Sequence, residues 1–166
     1  PLNTNWRKGI GLSVGASSSP IVNGAIINDL VTRGLNYWGN SGGIISNLHV
    51  SNISGATTSI AAGIWVEDSQ PLLTDISVDK SDSGMVIRHI DDGGYTRAVV
   101  RDATITNSMY RGVYEDKNNH TNYTNYETAD FTNLTVRGTG TSGATTANIG
   151  YAALEVNATG AWFDNT

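Results

Sequence analysis

Cysteine is absent from the chain, which removes disulfides and thiolate metal sites from consideration. No run of 18 apolar residues occurs, so the sequence offers no membrane-spanning helix. Charge is sparse, at 15% of 166 residues, and Asp plus Glu outnumber Lys plus Arg by 15 to 10. A formal net charge of −5 with no basic cluster argues against nucleic acid as a partner, because nothing is assembled to meet phosphates. His49, His89 and His120 stand far apart and show no metal-ligand spacing. An exported protein of this kind is expected to have lost its leader or to carry it upstream.

Gly, Asn, Ser and Thr fill the space that charge leaves, as a chain with many tight turns requires. They are placed periodically. Pro71–Val78 consists of two short apolar runs hinged at Asp75, with Leu73 before the hinge and Ile76 and Val78 after it. The same phrase recurs around Gly24, Asn47, Asp102 and Asn133. Every hinge is a residue type that tolerates a left-handed backbone. The flanking positions are apolar and the positions between them polar, which is the period of a half-buried strand. A competing hinge at Asp29 would shorten one repeat and place Thr32 in the core, so Asn28–Arg33 is expected to be a loop.

A second phrase, a small residue followed by an alternating strand, begins at Gly11, Gly34, Gly63, Gly84, Gly112 and, more loosely, Ala153. The two phrases alternate with a period of roughly 21 to 31 residues. Alternation at this period is the signature of a solenoid. Three short strands per period with no helix predict an all-β, right-handed parallel β-helix of about five to six coils, forming one domain over residues 1–166. A β-sandwich or jelly roll is the competing architecture. Ala161–Thr166 restarts the hinge phrase, with Phe163 inward and Asn165 at the hinge. The expectation is either a longer solenoid or a subunit that stacks on a partner. Trp6 and Ile10 are expected to cover the opposite end.

The hinge ladder and the Gly-led strands resemble the right-handed parallel β-helix proteins of the pectin-lyase-like superfamily. These include pectate lyases, polygalacturonases, phage tailspikes, adhesins and microbial surface proteins. The resemblance implies a groove over the outward face of one strand stack, here the Gly-led one. It does not imply an activity. The paired acids and Gly-His-Gly of polygalacturonases are missing, and Asp91-Asp92-Gly93 is only a fragment of that pattern.

On the Gly-led strands, Ser13, Asn36, Trp65, Val86 and Tyr114 should face outward in one row, and Gly15, Trp38, Glu67, Arg88 and Asp116 in another. Trp38, Trp65 and Tyr114 form a candidate platform for sugar rings or for a protein partner. Glu67, Arg88 and Asp116 stack as acid, base, acid. That is either a surface charge ladder or an acid/base pair for polysaccharide cleavage, with Arg88 depressing both acids. Asp91–Asp92 and Glu115–Asp116 are candidate calcium ligands without calcium-loop spacing, and no cofactor is expected. Sequons fall at Asn52, Asn119, Asn122, Asn133 and Asn157. Asn119 and Asn122 are the candidate glycan sites. The expected role is an extracellular or virion-surface structural or adhesive protein that self-assembles or presents a rigid binding surface. The alternative is a polysaccharide-binding or polysaccharide-cleaving domain.

Overall fold

A computed structural model describes residues 9–55, 61–88, 96–116, 129–140, 152–157 and 162–164; for residues 116, 152–157 and 162–164 it describes the backbone alone. The chain is all-β. Its strands are β1 (Ile10–Val14), β2 (Ile21–Leu30), β3 (Arg33–Tyr37), β4 (Gly42–Ile53), β5 (Ala62–Glu67), β6 (Gln70–Ser81), β7 (Ser83–Arg88), β8 (Ala98–Thr106), β9 (Arg111–Asp116), β10 (Ala129–Arg137), β11 (Ala152–Asn157) and β12 (Trp162–Asp164). Odd strands form one six-stranded sheet and even strands another. Every pairing is parallel, so the chain changes sheet at each step and returns one place further along. This is compatible with the coiled path expected from the repeat.

The register aligns the repeated phrases. Pairing of Asn23 with Ser46, Ser46 with Thr74, Thr74 with Arg101 and Arg101 with Thr132 puts Gly24, Asn47, Asp75, Asp102 and Asn133 on one line. All five have positive φ, from 52° to 79°. Asn47 donates to Asn23 Oδ1 at 2.5 Å, and Asn133 donates to Asp102 Oδ1 at 2.9 Å. Asn47 and Asn133 therefore each supply both a bend and a side-chain bond to the layer before.

Two features of the repeat differ from expectation. Asn28–Leu30 continues β2 and Arg33 opens β3, so the anticipated loop reduces to Val31 and Thr32. Asp29 is itself left-handed, and with Asn52, Lys80, Asn107 and Gly138 it makes a second bend line parallel to the first. The Gly24 and Asp29 registers are not rivals: β2, β4 and β6 each bend twice, and β8 and β10 bend once within the strand and again immediately after it. A repeat thus contains two strands, one short and one long, rather than three. Asn52 donates to Asp29 at 3.1 Å, and Thr106 and Asn107 each donate to Asp79 at 2.7 Å. Burial by itself would raise the Asp79 carboxyl. These two bonds, with Lys80 and His49 nearby, hold it below its ordinary value.

The core lies between the sheets. Leu35, Ile64, Met85 and Val113 from the odd strands meet Ile45, Leu73, Val100 and Phe131 from the even ones, all closed to solvent. Burying each such side chain contributes roughly 1.5–3 kcal/mol. Tyr37 lies fully buried in the next inward row, between Val14 and Val66, and its hydroxyl has no hydrogen-bond partner. Burial pushes that hydroxyl up to about 12. An unfolded tyrosine ionises near 10, so above about pH 10 the unfolded chain sheds a proton that the folded chain keeps, and stability falls until about pH 12. Tyr37→Phe removes an unpaired polar atom, so a neutral or slightly stabilising effect is expected at pH 7. Chemical denaturation between pH 9 and 12 should show wild type losing about 2 kcal/mol more than the variant.

Candidate functional site

The outer face of the odd-strand sheet carries the candidate residues. Its strands end at a corner where one hydroxyl per layer turns back onto the backbone. Ser18 donates to Gly15 O at 2.6 Å, Ser41 to Trp38 O at 2.8 Å, Ser69 to Glu67 O at 2.8 Å and Thr96 to Arg88 O at 3.0 Å. Ser41 and Ser69 also touch each other at 3.1 Å. The four accepting carbonyls belong to one predicted outward row, so this hydroxyl ladder fixes where Trp38, Glu67 and Arg88 leave the sheet. It was not foreseen from sequence. The available signal was a Ser or Thr recurring just before each even strand.

The predicted rows are in register. Ser13, Asn36, Trp65, Val86 and Tyr114 align across five strands, and Glu67, Arg88 and Asp116 align across three. Their exposure is not as expected. Trp65 is 7% exposed and packs with Ala62, Val86 and half-buried Tyr114 in a small apolar cluster outside the main core. The Arg33 guanidinium lies 3.9 Å from the Trp65 ring centre, with Arg88 at 5.4 Å, and Arg111 lies 4.2 Å from the Tyr114 ring. A platform of three exposed aromatics is therefore not formed. Two of them are covered by arginines from the neighbouring outward row, and Trp38 alone, 47% exposed, offers a large open ring.

Glu67 accepts from the Trp65 indole N–H at 3.0 Å. Arg33 donates to Asn36 Oδ1, and Asn36 donates to Ser13 Oγ at 3.4 Å. Burial pulls the Arg33 guanidinium below its ordinary value; Glu67 opposes this and Arg88 adds to it. These residues surround a depression of about 730 Å³ lined by Ile10, Gly11, Ser13, Arg33, Asn36, Trp38 and Glu67, a size in the range of small-molecule sites. Arg33 was assigned to a loop and Ile10 to an end cover, so sequence reading missed both. An Arg directly before the Gly of a Gly-led strand, at Arg33 and again at Arg111, was the pattern to notice.

Other candidates separate. Glu115 is fully buried in the inward row with Tyr37, Val66 and Ile87, which removes it as a ligand for an ion in solvent. Among the described residues no three His, Asp or Glu side chains converge. His49 is exposed and bonds to Ser77 at 2.5 Å. Asp91, Asp92, Asn119, Asn122 and Trp6 lie outside the described residues. Comparison with family models, curated proteins and solved structures finds no match in any of the three.

Proposed function

We propose that the chain is a right-handed parallel β-helix that works as an adhesive surface protein outside a cell or on a virion, holding saccharide on the outer face of its odd-strand sheet. Strict alternation between two parallel sheets supports the winding, and the hydroxyl ladder at the end of the odd strands holds the outward row in place. The observation that carries the reading is the depression beside Trp38, where an open indole ring borders a cluster of fixed polar groups. Binding is favoured over cleavage because Glu67 is held by Trp65 and separated from Asp116 by the Arg88 strand. Affinity electrophoresis against a polysaccharide panel should show retention that Trp38→Ala weakens about tenfold or more, a loss near 1.4 kcal/mol. Thermal stability should be unchanged, because Trp38 is outside the core. The same incubations should release no new reducing ends or unsaturated products. Retention unaffected by Trp38→Ala would remove the assignment.

A second property, self-assembly, is favoured by a separate surface. Ile21, Ile44, Leu72 and Val99 align on the outer face of the even-strand sheet, and Ile21 and nearby Ile26 are 79% and 75% exposed. Aligned aliphatic groups in water mark a contact surface. Light scattering at rising concentration should show association that the pair Ile21→Asp and Ile44→Asp abolishes. A strict monomer at all concentrations would count against lateral assembly.

A further inference from the structure

We infer that the saccharide held beside Trp38 is neutral, a hexopyranose unit stacked on the indole, and that the site discriminates against uronic acids. This rests on the reading of that face as a saccharide-binding surface. The argument starts from the ring. A Cβ on Gly15 would run into the Trp38 indole, so one side of the indole packs on glycine backbone while the residue stays 47% exposed. The open side is thus set before any ligand arrives, and little side-chain entropy remains to be lost on stacking.

The polar lining decides the class. A carboxylate needs donors around it, whereas a sugar hydroxyl both donates and accepts. Here donors and acceptors alternate. Arg33 is already engaged with Asn36 Oδ1, Asn36 with Ser13, and one Glu67 oxygen with Trp65. That leaves Arg33 N–H groups and the Ser13 hydroxyl on one side and a Glu67 oxygen on the other. Of the ionisable groups lining the depression, Arg33 supplies one positive charge and Glu67 one negative. Glu67 and Arg88 both act on Arg33, but Arg88 does not line the depression. An incoming uronate would find its attraction to Arg33 offset by repulsion from Glu67, besides the cost of desolvating its own charge. A neutral ring with adjacent hydroxyls meets neither cost, and can donate to Glu67 while accepting from Arg33.

The test is calorimetric titration of the folded chain with gluco-, manno- and galacto-configured neutral oligosaccharides, and with oligogalacturonate and oligoglucuronate, at low and high salt. Binding of at least one neutral series, insensitive to salt and weakened about tenfold or more in Trp38→Ala, is expected. Glu67→Gln should weaken the neutral ligand and improve uronate binding relative to wild type. Binding confined to uronates and falling with salt would overturn the neutral assignment while leaving the adhesive reading intact. Failure of the folded protein to bind either series would overturn both.

Discussion

Ile76→Asp is expected to destabilise the protein by more than about 3 kcal/mol, a large share of the roughly 5–15 kcal/mol by which domains are folded. Ile76 is 2% exposed and lies between Leu48 and Ala103 in an inward row, immediately after the left-handed Asp75. A carboxylate there has no donor in that row and cannot reach water. The substitution leaves the outer polar lane untouched, so its cost reports which way residue 76 faces. Urea denaturation at pH 7 measures it. Because burial raises the carboxyl, the unfolded chain ionises first, so the defect should shrink as pH falls from neutral toward about 4, where the unfolded carboxyl also takes up its proton. Near wild-type stability at pH 7 would contradict the register of the even-strand sheet.

Gly63→Ala is expected to cost about 2–4 kcal/mol, an unusual penalty for one methyl group. The added Cβ would meet Val78 Cγ1 across the corner and lie 2.8 Å from the Gly84 carbonyl oxygen of the adjacent strand. The first contact can be relieved and the second cannot. Gly63→Ala with Val78→Ala should therefore be more stable than the sum of the single variants by about 1 kcal/mol or more. Strict additivity would show that the two elements do not meet at this corner. Gly24 is the control, because its φ is +79° and nothing lies within 4 Å of an added Cβ. Gly24→Ala should cost only the roughly 1–2 kcal/mol of left-handed strain. Gly63 and Gly24 are thus required for different reasons, one for space and one for backbone angle.

Much of the architecture was legible because it is written by local rules repeated at a fixed interval. Bend residues at Asn47, Asp75, Asp102 and Asn133 announce themselves by type, and apolar alternation around them gives the inward face. Misreading Asp29 shows the limit of that logic. Asn, Asp and Lys at the second bend line form a weaker pattern, since Lys80 is not a left-handed residue type, yet the register compels it to φ 53°. Parity failed in another way on the odd strands. Trp65 points away from the core as predicted, but an outward direction does not settle exposure. Cover arrived from Arg33, which is 32 positions earlier in the chain and one strand away in space.

The candidate site divides along the same line. Sequence alone determined which residues share a row, because strand period and repeat spacing are one-dimensional properties of the chain. Tertiary structure alone decided which members of a row meet solvent, which arginine covers which ring, and that Trp38, Arg33, Asn36 and Glu67 border one depression. Those outcomes depend on side chains from neighbouring strands competing for the same space and the same hydrogen bonds. No local pattern records that competition.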